Sequence, residues 1–130
     1  MNSRKVLIAD DEPSIVTSLE YLMLRNGYEV KIARDGDEVL AQVESFRPDV
    51  VLLDVMMPRR NGYEVCQKIR ERPDWGHIRI VMLSAKGSES EVTKGLALGA
   101  DVYVTKPFSN QKLIATIEGL LVGEWKPPGE

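Results

Sequence analysis

Three short stretches of this chain, Val6–Ala9, Val50–Leu53 and Ile80–Leu83, are apolar at every position. A strand with one wet face alternates between apolar and polar residues. A strand that is apolar on both sides must be covered on both sides, as in parallel sheets sandwiched between helices. With their flanks the three read as strands Lys5–Ala9, Val50–Asp54 and Arg79–Ser84. Two further runs, Glu29–Ala33 and Asp101–Thr105, are interrupted by Glu29, Lys31, Asp101 and Tyr103 and therefore suit the sheet edges.

Between the runs the apolar residues recur with helical period. The stripes are Ile15, Val16, Leu19, Leu22 and Met23; Val39, Leu40 and Val43; Val65, Cys66 and Ile69; Val92 and Leu96; and Leu113, Ile114, Ile117, Leu120 and Leu121. Pro13 stands where a first helical residue belongs, and Gly27 and Gly99 fall just past helix ends. Asp35-Gly36-Asp37-Glu38 has the form of a capping box, and Ser109 can cap the last helix. Strand and helix alternate five times, which predicts an α/β fold: a single doubly wound parallel sheet of five strands with helices on both faces.

Composition narrows the class. The 130 residues suit one domain, with 1–122 as its body and 123–130, ending Lys-Pro-Pro-Gly-Glu, as a tail or linker stub. Seventeen basic against 20 acidic residues give a net charge of −3, without the basic footprint of a nucleic-acid binder. The lone Cys66 can form no internal disulfide, and no apolar run approaches the roughly 18–20 residues that cross a bilayer. The opening Met-Asn-Ser-Arg-Lys-Val-Leu-Ile-Ala-Asp reaches acid too soon for a signal peptide. A soluble, cytoplasmic domain is expected, with no membrane or direct nucleic-acid partner.

In an open α/β sheet, sites form at the carboxyl ends of the strands where strand order reverses. Here those ends carry Asp10-Asp11-Glu12, Asp54, Ser84 and Thr105-Lys106-Pro107. Carboxylates gathered at one edge repel one another unless a cation intervenes, and Mg²⁺ favours carboxylate, water and phosphate oxygens. A carboxylate can also act as the nucleophile in phosphoryl transfer, with a metal, a lysine and a hydroxyl stabilising the transferring oxygens.

Asp10-Asp11, Asp54-Val55-Met56-Met57-Pro58 with Gly62, Ser84-Ala85 and Lys106-Pro107-Phe108 together resemble the receiver domains of two-component response regulators. The likeness runs in register from about Lys5 to Leu121. It implies the flavodoxin-like strand order 2-1-3-4-5. Asp54 is then the phosphoacceptor, and Asp10, Asp11, Asp54 and the backbone carbonyl of Met56 hold Mg²⁺, with Mn²⁺ as a substitute. Lys106 contacts the phosphoryl group, and its bond to Pro107 is cis. Ser84 and Tyr103 switch on activation, altering the surface of the fourth helix, fifth strand and fifth helix. The implied donor is a sensor histidine kinase or a histidine phosphotransfer protein. The implied target is a partner protein or a covalently linked output domain, with the receiver a monomer or a phosphorylation-dependent dimer. Such a domain is a signalling switch, catalysing only its own phosphorylation and dephosphorylation.

Plainer readings stand beside these. Asp10 and Asp11 precede a helix and can cap it, Asp54 can open a loop, and Ser84 can be a turn former. Cys66 reads as core, His77 as a loop residue without a catalytic partner, Trp75 as a cover for the core edge, and Arg59-Arg60 as a solvated loop face near the site. A Mg²⁺-dependent aspartyl-phosphate hydrolase is disfavoured, because such enzymes carry a second Asp two residues after the first, where this chain has Met56. A flavodoxin-like phosphate module is disfavoured because Asp10-Asp11-Glu12 would repel the phosphate. The winged-helix regulators carry Glu and Arg for dimerisation where this chain has Lys112 and Thr116, which weakens that assignment. The tail favours a receiver cut from a longer protein over a stand-alone one.

Overall fold

The computed structural model describes residues 4–123, so the tail Glu124–Glu130 lies outside the described residues. In chain order the elements are β1 (Lys5–Ala9), α1 (Pro13–Arg25), β2 (Glu29–Ala33), α2 (Gly36–Phe46), β3 (Val50–Asp54), α3 (Gly62–Arg70), a 3₁₀ turn (Pro73–Trp75), β4 (Arg79–Ser84), α4 (Glu89–Ala97), β5 (Val102–Thr105) and α5 (Asn110–Val122). The strands form one parallel sheet in the order β2-β1-β3-β4-β5. The two interrupted runs, β2 and β5, are its edges.

Successive residues of the central strands enter different cores, which is why those strands show no alternation. Leu7, Ala9, Val51, Leu53, Ile80 and Met82 pack with α2 and α3 on one face. Val6, Ile8, Val50, Leu52, Val81 and Leu83 pack with α1 and α5 on the other. Each fully buried Leu, Ile or Val contributes roughly 1.5–3 kcal/mol of apolar transfer, so the sheet is a rigid floor for whatever its ends carry.

Helix starts follow local chemistry. Pro13 opens α1. Asp35 accepts from the Glu38 N–H at 2.8 Å, and Ser109 accepts from the Lys112 N–H at 3.3 Å. The full reciprocal capping box belongs to α3: Asn61 accepts from Glu64 N–H while the Glu64 carboxylate accepts from Asn61 N–H. Two expectations change. β5 starts at Val102, one residue late, because the Asp101 carboxylate takes the Ile80 N–H at 2.8 Å. Leu96 is 45% exposed, so the inward residue of α4 is Gly95 beside half-buried Val92. No helix among the described residues is long and apolar enough to cross a membrane.

Strand order reverses between β1 and β3, and α3 is seated against that point. The Gly62 N–H donates to the Val55 carbonyl at 2.8 Å. A β-carbon on Gly62 would fall on the Asp54 carbonyl oxygen and within 2.8 Å of Val55 Cα. Gly62→Ala is therefore expected to cost about 1–3 kcal/mol of unfolding free energy in urea titration. An unchanged midpoint would show that the α3 N-terminus yields freely.

Candidate functional site

Parallel pairing puts the carboxyl ends of β1 and β3 side by side, with Ala9 opposite Leu53. Asp10 and Asp54 come next along each strand and are buried, 1% and 7% exposed, while Asp11 on the adjoining loop is exposed. One carboxylate oxygen from each of Asp10, Asp11 and Asp54 lies within 4.8 Å of the others. Lys106 arrives from the end of β5, its N–H donating to the Ser84 carbonyl at 2.8 Å, and the Lys106–Pro107 bond is cis. Its ammonium donates to Asp10 Oδ2 at 3.0 Å and lies 3.7 Å from Asp54 Oδ1. Asp10 Oδ1 accepts from the Glu12 N–H at 2.9 Å. Asp10 thus joins the lysine to the start of the α1 loop, and the Glu12 N-cap makes no side-chain cap bond of its own.

The electrostatics are unbalanced. Burial, reinforced by the charge of Asp10, pushes the Asp54 carboxyl up to about 6, with the Lys106 ammonium and the Met56 N–H only partly offsetting this. Burial works against the charge of Lys106, but the hydrogen bond to Asp10 and the nearby carboxylates outweigh it and hold the ammonium above its usual range. Three carboxylates against one ammonium leave two negative charges when all are ionised. An oxygen-only, anionic donor set with one exposed member fits a hard divalent cation of the Mg²⁺ type.

Ser84 and Tyr103 grip the same neighbouring residue. The fully buried Ser84 hydroxyl accepts from the Lys86 N–H at 3.0 Å, and the Tyr103 hydroxyl donates to the Lys86 carbonyl at 2.6 Å. The Met56 side chain stands 57% exposed beside the cluster.

Arg59 and Arg60 are less free than a solvated face. Arg59, at φ 70°, pairs with Asp35 at 3.4 Å, and Arg60 pairs with Asp37 at 2.8 Å. With the Gly36 N–H donating to the Pro58 carbonyl at 3.3 Å, these pairs fasten the Met56 loop to the start of α2. The acid-rich first turn of α2 was the only signal for this in the sequence. No sequence signal marks Tyr63, which is buried on α3 with its hydroxyl reaching Glu91 and Tyr103. Cys66 is core, with burial pushing its thiol up to about 11. His77 is exposed, and Trp75 is half-buried at the core edge with the Arg72 guanidinium 4.1 Å over its ring.

The model of the response regulator receiver domain matches residues 6–118. The chain is 44% identical over 119 residues to the alkaline phosphatase synthesis transcriptional regulatory protein PhoP of Bacillus subtilis (strain 168), covering 92% of this chain and 49% of that protein. It therefore spans about half the length of that relative. Among solved structures it resembles the receiver domain of Francisella response regulator 1452 (32% identity, TM-score 0.87, 95% of this chain and 100% of that one). It also resembles the BeF₃-activated DrrB receiver domain (32% identity, TM-score 0.84, 93% and 99%).

A carboxyl raised by folding is disfavoured in its charged form, so Asp54 adds no penalty below its unfolded value of 3.8 and a full one above about pH 6. In metal-free buffer at pH 7.5, Asp54→Asn should raise the unfolding free energy by on the order of 1–3 kcal/mol. The gain should shrink as pH falls from 6 to 4. Urea titrations across that range check this, and a destabilised variant at pH 7.5 would contradict the charge crowding.

Proposed function

The chain belongs to the response regulator receiver domain family, and on that premise we propose that Asp54 accepts a phosphoryl group from a phosphohistidine of a sensor kinase or phosphotransfer protein. The observation that carries this reading is a buried, charge-crowded Asp54 with Lys106 3.7 Å from its carboxylate. As the Asp54 Oδ–P bond forms, the P–N bond to the donor imidazole breaks, and the imidazole keeps the electron pair and takes up a proton. The Lys106 ammonium is close enough to follow the new phosphoryl oxygens. Ser84 can turn its hydroxyl toward them by giving up the Lys86 N–H, and Tyr103 responds at the other side of Lys86.

The Asp10, Asp11 and Asp54 carboxylates with the Met56 carbonyl would hold Mg²⁺ or Mn²⁺. When bound, the ion neutralises charge on the transferring group. Residues 1–122 form the receiver, and 123–130 lead toward an output domain of a longer regulator, a reading supported by the half-length match to a transcriptional regulator. The switched surface of α4, β5 and α5 acts on that output domain or on a partner, in the cytoplasm. The receiver is a monomer or a phosphorylation-dependent dimer. Its chemistry is confined to its own acceptor.

Incubation with Mg²⁺ and acetyl phosphate or phosphoramidate, read by intact mass, should add one phosphoryl mass to the parent and none to Asp54→Ala. No gain in the parent, or the same gain in the variant, would overturn the reading.

Met56 bears on how long the phosphoryl group persists. Its exposed thioether chain, two residues after Asp54, offers water no strong hydrogen-bond partner, and on this reading it slows the approach of water to the phosphoryl group. Met56→Asn should lose the phosphoryl group about tenfold faster, a barrier change of about 1.4 kcal/mol. A decay by intact mass no faster than the parent's would sink the idea.

A further inference from the structure

Tyr63 follows Gly62 at the start of α3, where the backbone lies directly against Asp54. Although buried among core residues, it carries its hydroxyl out to the first turn of α4. That hydroxyl donates to the Glu91 carboxylate and lies 3.2 Å from the Glu91 carbonyl and 3.5 Å from the Tyr103 hydroxyl. A phenol has one proton to give, and the carboxylate is the stronger acceptor. Tyr103 commits its own proton to the Lys86 carbonyl at 2.6 Å. The two phenol oxygens thus meet with both protons spent elsewhere, so what fixes their separation is the placing of α4 and the Lys86 loop.

Tyr63 meets α4 at two points. Its bond to Glu91 ties the first turn of α4 to α3, and the Lys94 ammonium lies 4.4 Å over its ring one turn later. Gly95 then carries the Tyr103 ring so closely that a β-carbon there would stand 2.8 Å from both Met82 Sδ and Tyr103 Cδ2. From Asp54 the contacts run through Gly62 to Tyr63, across to Glu91, and along α4 to Gly95 and Tyr103. Ser84 and Lys86 take no part in them.

We infer that Tyr63 is a positioning residue that holds α4 through Glu91 and so links the acceptor end of α3 to the seat of Tyr103, by a route separate from Ser84. The inference rests on the proposed acceptor role of Asp54. Glu91 anchors this link, and loss of either partner leaves Tyr103 with a seat that no longer follows α3.

The chain has four tyrosines, so 3-fluorotyrosine labelling gives four ¹⁹F resonances, and Tyr103→Phe assigns the one needed. Spectra are recorded with Mg²⁺, with and without beryllofluoride, alongside intact-mass phosphorylation of the same proteins. Tyr63→Phe keeps the ring, its packing and its face toward Lys94, so a purely structural role would leave the beryllofluoride-induced change of the Tyr103 signal intact, whatever the static offset from losing a hydroxyl 3.5 Å away. The expected result is that Tyr63→Phe and Glu91→Ala both gain the phosphoryl mass like the parent but lose most of the Tyr103 shift that beryllofluoride induces. A parental Tyr103 shift in either variant overturns the route, as does a parent whose Tyr103 ignores beryllofluoride. A parent that gains no phosphoryl mass fails earlier and separately, because it removes the acceptor reading together with everything built on it.

Discussion

Repulsion among three carboxylates at one sheet edge is the constraint around which the rest of this molecule is arranged. Asp10 and Asp54 are brought together by the parallel pairing of β1 with β3, and neither has water enough to dissipate its charge. One ammonium, Lys106, answers both, and the Asp54 carboxyl still rises to about 6. An unrelieved cluster of this kind would relax apart on a soft support. It persists here because the strands beneath it are apolar on both faces, so each registers with its neighbours through two cores at once.

The loops complete the constraint. The Met56 loop is held against α2 by two ion pairs and one backbone hydrogen bond, with Arg59 kept in a left-handed conformation that few non-glycine residues adopt. The exposed pairs contribute little stability singly. Together they define where the loop lies, which matters more at a site where small displacements alter charge–charge distances.

How far the sequence discloses this depends on the range of the interaction. Strand limits, edge strands and the convergence of Asp10, Asp54 and Lys106 follow from apolar runs and from the rule for strand ends, both of which are local or topological. β5 starts one residue late because Asp101 caps the β4 ladder, a contact between residues 21 apart whose geometry no periodicity carries. Leu96 satisfies helical spacing yet faces water, because α4 approaches the sheet at Gly95, where the closest fit comes from having no side chain. Arg59 and Arg60 read as a solvated face because their partners lie at the start of α2, and Tyr63 gives no sequence signal because its ring is core while only its hydroxyl reaches α4. Pattern reading finds what a residue's bulk does. It misses what the polar end of a mostly apolar side chain reaches.

On the proposed reading, the magnitudes are those of a switch. Moving a two-state element from mostly one form to mostly the other takes about 5.5 kcal/mol of differential binding. A hydrogen bond to a charged group contributes about 1.5–3 kcal/mol. Two or three new charge-assisted contacts to a phosphoryl group therefore suffice, and the site offers about that many donors in Lys106, Ser84 and the backbone N–H of Met56. Ser84 turns toward them by loosening its bond to the Lys86 N–H, and Lys86 is the residue whose carbonyl Tyr103 holds from the other side. The donor that stabilises the acceptor's new charge is thus taken from the loop that seats the surface tyrosine. On that reading a charge change at Asp54 loosens the Lys86 loop that holds the Tyr103 hydroxyl, while the seat of the Tyr103 ring follows α4 through Tyr63 and Glu91.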